Sequence, residues 1–286
     1  MTVLEKAFDV ARARKARVVV PELGEDPRID QAAERLARDG LAEPVPLSPP
    51  SGRLLEAVMD VRPVKETLAM RLLQKPLMRA AAMLSAGQAD VMVAGAVAPT
   101  RRVIEAAAMA TGMDEGVATP SSFFLMTFPN GREVIFADCA VNVSPDAAQL
   151  ADIARASQRT ATALLGHADV AFLSFSTGTS GAGPSVDKVR EAARMTGFPG
   201  PLQGDAALNP RVAAQKGGAG GTANTLIFPD LDAGNIAYKL AQELGGAQAV
   251  GPILQGFRHP VCDLSRGATV EDIVAATVIS ITMGAL

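Results

Sequence analysis

Seven short runs constrain what this chain can fold into: RVVVPE (17–22), DVMVAGAV (90–97), SSFFLMTF (121–128), EVIFADCAV (133–141), DVAFLSFST (169–177), NTLIFPD (224–230) and AVGPILQ (249–255). Each has the length of a strand. Several are apolar almost without alternation, as strands are when both faces are covered. Helical patterns fall between them. Asp26-Pro27 supplies a cap residue and a proline at the first helical position, followed by a stripe of Ile29, Ala32, Ala33 and Leu36. Ser144-Pro145 reads as a second such start before Leu150, Ile153, Ala154 and Leu164, and Gly183-Pro184 as a third before Val186, Val189 and Ala193. Only 121–128 and 133–141, joined by PNGR, read as an antiparallel hairpin, because Asn-Gly is a strong turn signal. The alternation elsewhere predicts a mostly parallel α/β architecture. PVPLSPPSGR (44–53) reads as a surface connection. Ligands of such sheets collect beyond the carboxyl ends of the strands, so the strand-end loops are where function is sought.

The 286 residues are enough for one large domain or two smaller ones. A net charge of −3 with interspersed signs, and no Lys/Arg run, argues against a nucleic-acid surface. The N-terminus lacks the apolar core of a signal peptide and reads as a short amphipathic helix. No apolar stretch reaches the roughly 18–20 residues that span a bilayer, so no membrane role is expected. Cys139 and Cys262 match no metal spacing, and a cytoplasmic protein with free thiols is expected. With only His167 and His259 present, a histidine metal site or relay is disfavoured, and no metal is expected.

Two strand-end loops are glycine-rich. In SFSTGTSGAGPSVDK (174–188), Ser176, Thr177, Thr179 and Ser180 supply hydroxyls, while Gly178, Gly181 and Gly183 allow close backbone approach ahead of a helix. That composition suits an anion cradle, although it is neither a P-loop nor a dinucleotide fingerprint. It equally suits a flexible strand-to-helix turn, and spacing leaves both readings open. QKGGAGGTAN (215–224) reads as a mobile loop.

Near the C-terminus, DLSRGATVEDIV (263–274) carries a third candidate. Thr269 and Asp272 form a capping box, which alone explains both as helix-start chemistry. The helix that follows is apolar almost all round, through Val270, Ile273, Val274, Thr277, Val278, Ile281, Ala275, Ala276 and Ile279. It is expected to be buried, with its capped end facing something the protein encloses. Ser265 and Arg266 stand just before that end. A hydroxyl, a guanidinium suited to bidentate phosphate binding, a helix N-terminus and a carboxylate thus fall within eight residues.

GPLQGDAALNPRVAAQK, ANTLIFPDLDAGNIAYKLAQELGG, GPILQGFRHPVCDLSRGATVEDIV, SFSTGTSG and FADCAVN together resemble the phosphate acetyltransferase (phosphate acetyl/butyryl transferase) family. VVVPELGEDPRIDQAAERLARDG and ADVMVAGAV fit as well, so the likeness covers essentially the whole chain, with 46–62 abbreviated. The resemblance implies two α/β domains with mostly parallel sheets enclosing a cleft, like isocitrate/isopropylmalate dehydrogenase. One domain would be 1–116 plus 252–286, completed by the C-terminal helix, and the other 117–251. It implies a homodimer that moves an acetyl group reversibly between phosphate and coenzyme A. Acetyl-CoA, phosphate and acetyl phosphate would be its substrates, with no bound cofactor.

Carried over by position, Ser265 matches the family's catalytic serine, Arg266 its phosphate-site arginine and Asp272 its base for the coenzyme A thiol. Arg62 matches an arginine implicated in coenzyme A binding, and the 176–180 loop would complete the acyl-phosphate pocket. Two departures stand out. Glu105 replaces a family arginine tied to coenzyme A, with Arg101 and Arg102 one turn earlier, and Cys262 stands where asparagine is common. Acyl transfer to a thiol needs a proton acceptor, a donor for the developing oxyanion and a holder for the departing phosphate. A carboxylate at a helix N-terminus is a weaker base, and burial works against that, so base and orienting cap both stay open for Asp272. Rival readings are a propionyl or butyryl transferase, a metal-dependent decarboxylating dehydrogenase, and a non-catalytic acyl-CoA sensor.

Overall fold

A computed structural model describes residues 1–217 and 220–284. Gly218 and Ala219, inside the segment expected to be a mobile loop, lie outside the described residues. The chain divides into two compact units, Met1–Gly116 with Gly251–Leu286, and Val117–Val250.

The first unit runs α1 (Val3–Arg14), β1 (Arg17–Val19), α2 (Pro27–Arg38), β2 (Glu43–Val45), α3 (Gly52–Val61), α4 (Glu66–Leu72), α5 (Pro76–Ser85), β3 (Val91–Ala94) and α6 (Thr100–Ala110). In the second unit the order is β4 (Ser121–Thr127), β5 (Glu133–Ala137), α7 (Ala147–Leu165), β6 (Val170–Phe172), α8 (Pro184–Thr196), α9 (Gly204–Leu208), α10 (Pro210–Gln215), β7 (Thr225–Ile227) and α11 (Leu231–Glu243). Strand β8 (Gln248–Gln255) carries the chain back to the first unit, which ends with β9 (Val261–Asp263) and α12 (Val270–Met283).

In the first unit β2, β1, β3 and β9 pair in that order, all parallel, through registers such as Val18↔Val91 and Ala94↔Asp263. The end of β8 joins β9 antiparallel at Ile253↔Cys262. In the second unit β4 and β5 form the expected hairpin, closed at Gly131, whose φ of +81° suits a residue without Cβ. Strands β5, β7 and β6 then pair in parallel.

Three expectations are corrected. The 44–53 segment is not all connection, since β2 takes its first residues and pairs with β1. Strand β9 was not read from the sequence because its three residues sit between a proline and the capped helix. The helix expected to start at Ser144-Pro145 begins two residues later. Asp146 is its cap, and Gln149 completes a capping box, an acceptor better matched to the N3 amide than a serine followed by proline.

Helix α12 is wholly buried over 273–281 and packs on α1, α2, β3 and β9. Each buried Ile or Val there contributes about 1.5–3 kcal/mol, enough to hold the helix, and the turn before it, in one place. No helix is long and apolar enough to cross a membrane among the described residues.

Candidate active site

Three parallel strands of the first unit, β1, β3 and β9, deliver their carboxyl ends to one edge. Beyond β1 lies Glu22, 3% exposed. Its carboxylate accepts the backbone N–H groups of Gly95, Ala96, Val97 and Ala98 at 2.8–3.2 Å, gathering the exit of β3 into a nest ahead of α6. Beyond β9 the backbone N–H of Leu264 donates to Ala94 O at 2.6 Å, and the Ser265-Arg266 turn follows.

That turn is held from below by α2. The Asp26 side chain caps α2 by accepting from Arg28 N and also pairs with the Arg28 guanidinium at 2.7 Å. So oriented, Arg28 Nη1 donates to the carbonyls of Arg266 and Ala268, at 2.9 and 2.8 Å. Arg28→Ala leaves both carbonyls without that donor. It is expected to lower turnover by about tenfold to a hundredfold through misplacement of the turn, read by steady-state kinetics.

The Thr269–Asp272 capping box is present. Asp272 Oδ2 accepts from Thr269 N at 2.9 Å and from Thr269 Oγ1 at 2.8 Å, while Asp272 N donates to Thr269 Oγ1. Both cap bonds to the carboxylate fall on Oδ2, and among the described residues none donates to Oδ1. Ser265 Oγ accepts from Gly267 N at 3.3 Å, which leaves its proton free to be donated. Ser265, Arg266 and Thr269 are exposed and Asp272 is half-buried, because the apolar positions of α12 become continuous only from Ile273.

The second unit's loop is held by hydrogen bonds of its own hydroxyls and by a later segment. Ser176 Oγ accepts Gly181 N at 2.8 Å, Ser180 Oγ accepts Thr177 N at 3.0 Å, and Thr177 Oγ1 accepts Gln203 N at 3.0 Å. Gly178 N donates to Pro201 O, and Ser180 N to Thr177 O. Its hydroxyls and amides thus bond partly to one another and partly to Pro201 and Gln203, and Thr179 is left exposed.

Around the departure at Glu105 there is a cavity of about 530 Å³ in the first unit, lined by Lys75, Arg102, Glu105, Glu25, Met78 and Met109 among others. Arg101 pairs with Glu105 at 2.8 Å on the surface, whereas Arg102 is on the cavity wall. Of the two arginines, Arg102 is therefore the one free to serve as the cation there. Arg62 is exposed at the C-terminal end of α3 and is not among the cavity's lining residues.

Sequence reasoning missed Glu22, Arg28 and Asp263. The available signals were an acidic residue three positions after β1, an arginine two positions after a cap aspartate, and a charge within an apolar strand. Among the described residues, no group of three or more His, Cys, Asp or Glu side chains is placed to hold a metal ion.

The parallel strands of the first unit thus end beside a Ser-Arg turn and a capped carboxylate. Residues 52–281 match the model of the phosphate acetyl/butaryl transferase family, and the chain belongs to that family. It is 37% identical over 98% of its length to the phosphate acetyltransferase of Paracoccus denitrificans, covering 98% of that protein. The crystal structure of a phosphotransacetylase from Streptococcus pyogenes matches with a TM-score of 0.91 and 35% identity, over 99% of this chain and 98% of that one. A putative 4-hydroxythreonine-4-phosphate dehydrogenase from Salmonella typhimurium shares the fold alone, with a TM-score of 0.52 at 14% identity.

Proposed function

We propose that the chain transfers an acetyl group reversibly between phosphate and coenzyme A, by direct attack in a ternary complex. The observation that carries this reading is the Ser265-Arg266 turn, clamped by Arg28 ahead of a buried helix whose Asp272 keeps Oδ1 clear of its own cap. The sulfur of coenzyme A attacks the acetyl carbonyl carbon, and its proton passes to Asp272 Oδ1. The bond from that carbon to the phosphate oxygen breaks, and phosphate leaves with the electron pair. Ser265 donates its hydroxyl proton towards the carbonyl oxygen as negative charge develops. Arg266 neutralises phosphate oxygens in both directions.

Arg62, exposed at the end of α3, together with Lys75 and Arg102 on the cavity wall, supplies cations for the phosphates of coenzyme A. The decisive assay is coenzyme A-dependent phosphate release from acetyl phosphate, repeated with propionyl and butyryl phosphate. Release that is no faster with coenzyme A than without it would end the reading. Arg266→Lys keeps the charge and loses the fork, so the KM for phosphate is expected to rise by about tenfold. An unchanged KM would remove the bidentate role.

A cytoplasmic homodimer belongs to the same reading. Cys139 and Cys262 are free buried thiols, which supports a reducing compartment. Ile236 and Leu240 on α11, with Leu244 at its C-terminal cap, expose an apolar stripe, which supports contact with a second copy.

A further inference from the structure

Glu22 stands on the turn after β1, where its carbonyl accepts from Glu25 N at 3.1 Å, and it is almost wholly buried. A carboxylate at that depth is costly unless donors surround it. Its donors are four consecutive amides rather than a lysine or an arginine. Oε1 accepts from Ala98 N at 2.8 Å and from Val97 N at 3.2 Å, Oε2 accepts from Ala96 N at 3.0 Å, and Gly95 N is shared between the two oxygens at 3.1 Å. Successive amides aimed at one point make an anion site, and ligands of open α/β sheets gather beyond the carboxyl ends of the strands. At the exit of β3 the chain's own carboxylate fills that site. Recognition of a ligand's phosphates beside it therefore falls to side chains.

The turn held in this way is a wall of the 530 Å³ cavity. Glu22, Val97, Ala98 and Pro99 line it, and α6, which begins at the next residue, adds Arg102 and Glu105. Pro99 is the cap of α6 and makes no side-chain hydrogen bond, so the first turn of the helix takes its direction from the backbone ahead of it. That backbone is tied to Glu22 through Ala98 N, and the adjoining Pro99 carbonyl accepts from Arg102 N at 2.8 Å. Hydrogen bonds and one peptide link thus connect Glu22 to the backbone of Arg102. We propose that Glu22 is a positioning residue for coenzyme A, an internal anion that fills the amide nest and so fixes the cavity wall and the start of α6 that carries Arg102. The inference rests on the role proposed above for Arg102. The Ser265-Arg266 turn is anchored separately, by the bond from Leu264 N to Ala94 O and by Arg28, so loosening of 96–98 spares it.

The test titrates coenzyme A and acetyl phosphate separately in steady-state assays of Glu22→Gln, Glu22→Ala and Arg102→Ala, with the thermal midpoint of each variant recorded. Glu22→Gln keeps the shape but turns an NH2 group towards the amides. It is expected to raise the KM for coenzyme A about tenfold, with the KM for acetyl phosphate changed by less than about twofold. Glu22→Ala opens the nest to a small anion. Formate is therefore expected to bring the raised KM for coenzyme A back towards the wild-type value, where chloride at the same ionic strength does not. A side chain that only filled space would give neither the split between the two substrates nor the response to formate. Glu22→Asp, which keeps the charge on a shorter arm, replaces either Glu22 variant that does not fold, with the same split expected. Equal rises in both KM values, a fall in kcat alone, or an open nest that ignores formate would overturn the inference. So would a wild-type KM for coenzyme A in Glu22→Gln beside a raised one in Arg102→Ala, with the role of Arg102 left standing. A wild-type KM for coenzyme A in Arg102→Ala would instead overturn that role, and this inference with it.

Discussion

Asp272→Asn is expected to lower kcat by about 10²–10⁴, the range for removing a general base. The amide oxygen can still accept the two bonds that Asp272 Oδ2 takes from Thr269, so the capping box is largely preserved. Loss of the charge at the helix start should lower stability by no more than about 1 kcal/mol. A large fall in kcat with a nearly unchanged thermal midpoint is therefore the signature of a proton acceptor. Thr269→Ala is the control: it breaks the cap, at about 1 kcal/mol, and keeps the carboxylate. If Thr269→Ala lowered kcat as far as Asp272→Asn, the cap geometry would be what matters. Turnover near the wild-type rate in Asp272→Asn would dismiss the base assignment outright.

Gly95→Ala is expected to destabilise the first unit by about 4 kcal/mol or more, measured as a shift in the denaturant midpoint. Gly95 has a φ of +105°, a region that side-chain-bearing residues rarely adopt. A methyl group there would collide with Asp263 Oδ1 and sit 2.7 Å from Leu264 N and 2.9 Å from Leu264 O. The last two atoms are backbone, fixed by the bond from Leu264 N to Ala94 O, and cannot swing aside. Relief requires the exit of β9 to move, and Ser265 and Arg266 move with it. Activity should therefore be lost even in the fraction that remains folded. A variant with the wild-type midpoint and activity would mean that the β3 and β9 exits are not locked together as described.

Elements defined by short-range spacing were legible in the sequence. The Asp26-Pro27 start, the PNGR hairpin and the Thr269–Asp272 box each depend on residues a few positions apart, so the amino-acid order contains the interaction. The family motif in DLSRGATVEDIV was legible in the same way, and it singled out Ser265, Arg266 and Asp272. Where two local solutions share one composition, reading the sequence was not enough. The 176–180 loop has the hydroxyls and glycines of a cradle, but Gln203 and Pro201, from a later segment, take up the bonds of Thr177 and Gly178. The cap of α7 shows the same limit at shorter range, since Ser144-Pro145 reads as the start and Asp146 is the cap.

What the sequence determined by itself was the α/β class and helix starts such as Asp26-Pro27 and the Thr269–Asp272 box, because periodicity and capping are settled within one or two turns of chain. The tertiary structure alone decided which groups support the Ser265-Arg266 turn. Glu22 reaches amides 73 to 76 residues away, Arg28 reaches carbonyls 238 and 240 residues away, and Asp263 is left without a donor. Those relations exist only where β1, β3 and β9 end side by side, and parallel strands meet through long crossovers that no local pattern records.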